Sequence, residues 1–312
     1  MSGDEGSASD EAQSSEAQPS ETGITVLTLD AGALGELRSP VMLVAMSGWF
    51  DVAAVATGAL RRISATDSSV IVGEIDPDPF FDFTVERPET MLDDHGERHT
   101  VWPATTIRVS RQPSHDLVLA SGVEPHLHWH TFAGALVATA RRLGCRVAVT
   151  VGASAEAIPH TRMPPVVGST TSDELADRLG LGRPTYQGVT GLIGVLLARF
   201  DLASMPAVSL RVGVPHYLAD SQHPKSSAAL VRHLSHVLGD PLMADFSADI
   251  TEAEQVHANV VQADPQLAQY VTMLEAEFDR RAEAAIPSPD ELGRQFEEFL
   301  RDQPPDNDDP TA

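Results

Sequence analysis

Residues 41–60 read VMLVAMSGWFDVAAVATGAL, and this stretch decides the fold class. Residues 41–46 form an unbroken apolar run that ends at Ser47 and Gly48, which suits a short strand buried on both faces. Directly after it, Val52, Val55, Ala56, Ala59, Leu60 and Ile63 recur at offsets 0, 3, 4, 7, 8 and 11, one face of a helix. A buried strand feeding an amphipathic helix is the repeating step of a parallel α/β sheet.

The same step recurs outward from this stretch. Residues 70–75, 117–120, 147–151 and 207–212 read as further buried strands. Residues 132–143 and 190–200 read as helices, and Leu230, Leu234, Val237 and Leu238 mark another that Gly239 closes. Residues 77–111 alternate less regularly and suit antiparallel strands or hairpins, while Thr171 with Glu174 predicts a capping box for a short helix. The expected fold is α/β, with a mainly parallel or mixed central sheet and helices on both faces.

From Thr251 the character changes. Thr251 and Glu254 predict a second capping box, and Leu267, Tyr270, Val271, Leu274 and Phe278 then repeat helically. Ser288, Pro289 and Glu291 open a further helix carrying Leu292, Phe296, Phe299 and Leu300. The expected division is a disordered acidic tail over 1–23, an α/β domain over 24–239, an acidic helical extension over 240–302 and a disordered tail over 303–312. The apolar stripes of the extension need a surface to cover, and the chain's own core is the default.

The net charge of −24 is concentrated at the ends. Residues 1–23 hold six acids and no Lys or Arg, and residues 240–312 hold 18 acids against four Arg; the middle has 21 acids against 17 bases. An acidic balance of this kind repels phosphate backbones, so nucleic acid is not an expected partner. The start of the chain has neither a basic n-region nor an apolar h-region. The longest apolar stretch, 189–200, is interrupted and too short to span a bilayer, which takes about 20 residues. A soluble cytoplasmic protein with no membrane partner is expected. The lone Cys145 beside an apolar run reads as a small buried hydrophobe.

Candidate chemistry sits after the strands. Gly48-Trp49-Phe50-Asp51, Gly122-Val123-Glu124-Pro125, Gly152 and Gly213-Val214-Pro215-His216-Tyr217 each follow a predicted strand, and Gly152 opens a loop holding Pro159-His160-Thr161-Arg162. In an open parallel sheet the carboxyl ends of the strands share one rim, where ligands bind. Trp49, Asp51, Glu124, Trp129, His160, Arg162, Tyr186, His216 and Tyr217 are the predicted binding residues. Glu124 and His216 are the candidate proton-transfer groups, His160 and Arg162 would hold an anion, and Trp49 and Trp129 would form stacking walls. The same groups serve equally as a buried network that fixes the loops.

Weaker patterns carry little. Gly152-Ala153-Ser154-Ala155-Glu156 lacks the last glycine of a nucleophile elbow. His126, His128 and His130 alternate without Cys or carboxylate at ligand spacing, so no metal is expected. Gly188, Gly191 and Gly194 fit close helix packing, and no Walker A sequence is present. No cofactor is expected.

Taken in order, Gly48 to Asp51, the run DFTVERP from Asp82, DLVLASGVEPHLHWHTF from Asp116, Pro159 to Arg162, YQGVTG from Tyr186 and Val214 to Tyr217 resemble the PAC2 family, the proteasome assembly chaperone 2 group. The resemblance covers about residues 24–239, and the acidic helical extension is similar to that of the bacterial, actinobacterial type. It implies a three-layer α/β fold like that of nucleoside phosphorylases. It also implies a chaperone-like role with proteasome subunits or another protein as partner, and a homo-oligomer, trimers included. Eukaryotic and archaeal members of the family dock through a C-terminal hydrophobic–Tyr–any tail. Here the chain closes Asp309-Pro310-Thr311-Ala312 and its last tyrosine is Tyr270. The alternative is a nucleoside- or phosphate-ester-binding protein, or a phosphorylase- or hydrolase-type enzyme, working in the strand-end cleft.

Overall fold

The computed structural model describes residues 27–29, 35–65, 69–284, 294 and 301. The tails predicted over 1–23 and 303–312 lie outside these residues, as does the predicted helix from Ser288 except for Arg294 and Arg301. Strands β1 (Leu27–Leu29), β2 (Val41–Ser47), β3 (Ser69–Ile75), β6 (Thr105–Arg111), β7 (Asp116–Val123), β8 (Val147–Glu156), β9 (Val166–Thr170) and β10 (Ala207–Pro215) form one sheet in the order β1-β3-β6-β7-β2-β8-β10-β9. β4 (Glu89–Leu92) and β5 (Arg98–Val101) make a separate antiparallel hairpin within the stretch predicted to hold one. The sheet is mixed: β7, β2, β8 and β10 run parallel in its centre, and the pairings outside them are antiparallel.

The alternation within β2 shows why the centre is doubly covered. Met42, Val44 and Met46 face a cluster with helices α2 (Trp129–Arg142) and α4 (Leu192–Leu202), through Phe132, Leu136, Leu196 and Phe200. Leu43 and Ala45 face the opposite cluster with α1 (Val55–Ser64) and α5 (Pro224–Leu238), through Leu60, Ile63, Leu230 and Leu234. Helices therefore lie on both faces, giving three layers. Cys145 is buried in the first cluster, where desolvation pushes its thiol up to about 12, as suits a packed hydrophobe.

Beyond α3 (Asp173–Leu179) and α5, helix α6 (Ser247–Ala263) packs against α5, with Ile250 reaching the second cluster, and α7 (Pro265–Ala284) packs against α6. Among the described residues, no helix is long and apolar enough to cross a membrane.

Several local readings are corrected. The helical period begins at Val52, yet Val52–Ala54 is a 3₁₀ turn, Ala53 and Ala54 have φ of 56° and 52°, and the α-helix starts at Val55. The buried Asp51 carboxylate causes this, because it accepts from the Ala56 amide at 2.6 Å and from the Thr57 hydroxyl, which caps a helix beginning there. Alanine is a side chain small enough to bear the left-handed turn, at about 1–2 kcal/mol per residue. Gly122, Gly152 and Gly213 lie within strands rather than opening turns, so β7, β8 and β10 run further than the apolar runs suggest. The first capping box sits one residue later, at Ser172, whose hydroxyl accepts from the Leu175 amide at 3.4 Å. Thr251 caps nothing: it lies inside α6 and bonds back to the Ser247 carbonyl at 3.0 Å, while Asp245 captures the Ser247 amide and hydroxyl.

A Cβ at Gly122 would stand 2.5 Å from the Ala104 carbonyl oxygen and 2.7 Å from the Thr105 Cα, both backbone atoms that cannot rotate away. Gly122→Ala is expected to destabilise the protein by about 1–3 kcal/mol, read as a lower urea midpoint at unchanged slope. Gly182→Ala, which meets nothing within 4 Å, is expected to unfold with the wild type. Equal midpoints for the two variants would refute this packing account.

Candidate functional site

The parallel strands β2, β7, β8 and β10 end along one rim, and the predicted residues fall there in two groups. Register fixes this placement: Ser47 pairs with Val123, and Pro215 with Glu156.

The first group gathers around Glu124. Its Oε1 accepts from the Leu192 amide at 2.7 Å and its Oε2 from the Trp49 amide at 3.2 Å. Leu192 is the first residue of α4, and Gly191 before it has no side chain to cap the helix, so Glu124 caps it from another strand. Two glycines make room: a Cβ on Gly48, whose φ is +150°, would lie 2.6 Å from Glu124 Oε2, and one on Gly191 would lie 2.7 Å from the Phe50 ring. Glu124 thereby ties the Trp49 loop to the start of α4. Trp49 is 60% exposed, Tyr186 72% and Val189 75%, so an aromatic and aliphatic lip stands in solvent beside this tie. Tyr186 donates its hydroxyl to the Val189 carbonyl at 2.9 Å, which folds the lip's outer loop on itself. Trp129 turns away, with its indole N–H donating to the Pro125 carbonyl. Asp51 is buried beneath as the α1 cap, and desolvation raises its pKa against the pull of Thr57 and Ala56.

The second group lies at the β8 and β10 ends. The Tyr217 hydroxyl accepts from the His160 amide at 2.9 Å and sits 2.8 Å from His160 Nδ1. Burial is the main reason the Tyr217 phenol is pushed up to about 12. His216 Nδ1 lies 3.0 Å from the Glu156 carbonyl, and its Nε2 lies 3.4 Å from the Tyr270 hydroxyl of α7. Arg162 is engaged by α7: its Nε and Nη2 hold the two Asp279 carboxylate oxygens at 2.9 and 2.7 Å, and Nη1 reaches Glu275 at 3.4 Å. That bidentate pair holds the Asp279 carboxyl below its ordinary range.

Among the described residues no side-chain hydrogen bond or ring contact joins the two groups, although the Ala153 amide of β8 donates to the Phe50 carbonyl at 2.6 Å. Glu124 spends its carboxylate on the Trp49 and Leu192 amides, and the His216 ring nitrogens face the Glu156 carbonyl and the Tyr270 hydroxyl of α7. The space beside His160 is a cavity of about 20 Å³ lined by His223, Lys225, Glu254 and His257, which is room for about one water. A larger hollow of about 430 Å³ beside Arg61 and Gln222 opens to solvent and shares only His223 and Pro224 with that cavity. Ser154, of the incomplete elbow, lies in β8 and donates to Glu156 at 3.0 Å. His126 accepts from the Asp82 amide and His128 turns into α2 with φ 53°. Among the described residues, no three His, Cys, Asp or Glu side chains are placed to hold a metal ion.

Sequence reasoning missed His223, His257, Lys225, Tyr270, Glu275 and Asp279 at this rim. Lys225, the sole lysine, shows only as composition in the sequence, yet its ammonium meets Glu254 at 2.6 Å and the His160 carbonyl at 3.0 Å. The acidic residues of the extension follow its helical period, and their surplus opposite a nearly neutral core was the available signal.

The PAC2 family matches residues 45–263. No curated protein matches the chain. A solved PAC2 family protein from Streptomyces avermitilis is similar, at 34% identity and a TM-score of 0.68, over 74% of this chain and 99% of that one. A Mycobacterium tuberculosis proteasome-assembly chaperone homologue is similar at 34% identity and a TM-score of 0.67, with the same coverage of both chains. An archaeal proteasome activator from Pyrococcus furiosus shares the fold, with 15% identity and a TM-score of 0.59 over 76% of this chain and 97% of that one.

Glu124→Ala leaves the amides of Trp49 and Leu192 without their acceptor. We expect a loss of about 1–3 kcal/mol in urea unfolding and faster proteolysis between residues 186 and 191. Unchanged stability together with unchanged cleavage would show that Glu124 does not hold the rim together.

Proposed function

The chain belongs to the PAC2 family, and on that premise we propose that it is a non-enzymatic assembly factor, a proteasome-assembly-chaperone-like protein that docks other proteins. The observation that carries this reading is the 34% identity to a proteasome-assembly chaperone homologue over 99% of that protein. The exposed lip of Trp49, Tyr186 and Val189 supports it, because apolar and aromatic side chains held in solvent on a braced loop are what a protein partner buries. The partner is proposed to be a proteasome subunit or a comparable protein, met in the cytoplasm, and the chain is proposed to act as a homo-oligomer, trimers included. The α/β body over 24–239 would carry the docking face, and the helices over 240–302 would be an appendage to it.

A small-molecule enzyme has less support. The candidate proton carriers Glu124 and His216 are committed to loop and helix contacts, and the cavity beside His160 is far below the roughly 300–1,000 Å³ of ligand sites.

Affinity capture of the tagged full chain from its native lysate tests the proposal. Proteasome subunits are expected to be retained at physiological salt, and Trp49→Ala with Tyr186→Ala is expected to cut retention at least about tenfold, the loss of about 1.4 kcal/mol or more at a hot spot. Retention of no proteasome subunit by the folded wild type would overturn it.

A further inference from the structure

Helix α6 rests on the rim in an unusual way: His257 is its one buried residue, at 5% exposure. The His257 ring stacks on His223, the residue that precedes α5, with centroids 4.7 Å apart and planes 30° from parallel, and stands edge-on to His160 at 5.7 Å. His257 Nε2 is buried without any hydrogen-bond partner, and His223 spends its Nε2 on the Leu218 carbonyl at 2.8 Å. His160 faces the Tyr217 hydroxyl through Nδ1. Around the three rings stand Lys225 of α5, Glu254 of α6, Glu275 and Tyr270 of α7, and Tyr217, Arg162 and His216 of the rim. The carboxylates are already claimed, Glu254 by Lys225 and Glu275 by Thr161 and Arg162. A proton on any ring would therefore be buried beside two imidazoles and an ammonium, offset in part by the shared carboxylates Glu254 and Glu275 at His160 and by the Gln222 backbone at His257.

α7 adds only Val271 and Leu274 to the buried apolar set, and neither helix belongs to the two clusters around the sheet apart from Ile250 at the start of α6. Such an element opens locally while the rest stays folded. We propose that the α6–α7 hairpin is a cover latched by neutral histidines, which acid lifts from the strand-end rim to bare Arg162, Lys225 and His216.

The direction follows from proton counting. Burial first, then His223 and His160, hold His257 down to about 4, and burial likewise lowers His160 and His223. In the lifted state each ring returns toward about 6.5, so that state binds more protons. Closure is complete above about pH 6.5 and weakens as pH falls toward 4; His257 alone shifts the closed-to-open ratio by up to about 300-fold across that window.

The test uses the full chain with Cys145→Ala and spin labels at Asp201→Cys on α4 and Glu283→Cys at the end of α7, both exposed positions. The distance between the labels is expected to lengthen as pH falls from about 6.5 to about 4.5, and His257→Leu is expected to move that midpoint down by about one unit or more. No lengthening in the parent, or the same midpoint in His257→Leu because carboxylates alone drive release, overturns the proposal. Should His257→Leu fail to fold, imidazole proton resonances of the wild type decide. His160, His223 and His257 are expected to titrate together at the opening midpoint, and independent titration without opening overturns the latch.

Discussion

Burial of the central strands on both faces is the constraint from which the rest of the molecule follows. β2 has no side left for polar chemistry: alternate residues enter one cluster or the other, from Met42 and Leu43 through Met46. Charged and hydrogen-bonding side chains are expelled to the strand ends, and the parallel run of β7, β2, β8 and β10 puts four of those ends on one rim. The rim is crowded with His, Tyr, Glu and Arg because there is nowhere else beside the core for them to go. Crowding of that origin predicts bracing as readily as catalysis, and the hydrogen bonds favour bracing.

That distinction explains what could be read from the sequence. Buried strands and helical faces were legible because apolar periodicity is a local signal, and the central four strands and their helices appear where the periods put them. Caps were less legible, because the acceptor is not always local. Thr171 and Thr251 have the right spacing for capping boxes, yet Ser172 and Asp245 reach the free amides first. The α4 cap, Glu124, lies 68 residues from the amide it accepts. No window of sequence holds both ends of such a bond. The strained Ala53-Ala54 turn is invisible for the same reason, since only the buried Asp51 carboxylate makes a left-handed turn worth its cost.

The candidate residues were legible as a set but not as partners. The order of motifs placed Trp49, Glu124, His160 and His216 on one rim, while the contacts divide them: the first two are joined to each other, His160 meets His257 of α6 and His216 meets Tyr270 of α7. What the sequence could not offer was the extension's return over the rim, because amphipathic helices announce an apolar stripe without naming what it covers. Here the stripe is thin, and the contact is made largely by rings and charges: Tyr270 against His216 and Tyr217, Asp279 on Arg162, Glu254 on Lys225.

A contact of that composition behaves differently from the core beneath it. Apolar burial is indifferent to protons and little weakened by salt, whereas exposed ion pairs contribute little and fade with salt. The sheet and its four helices would hold their shape across conditions that loosen α6 and α7. The two halves of the rim then differ in kind. At the Glu124 end the polar atoms are spent within the core on keeping an apolar lip presented. At the His160 end they are spent on a neighbouring helix, and can be recovered when that helix leaves. A protein that must meet another protein and later release it has use for both: a fixed surface to be recognised by, and a second surface whose availability depends on its surroundings.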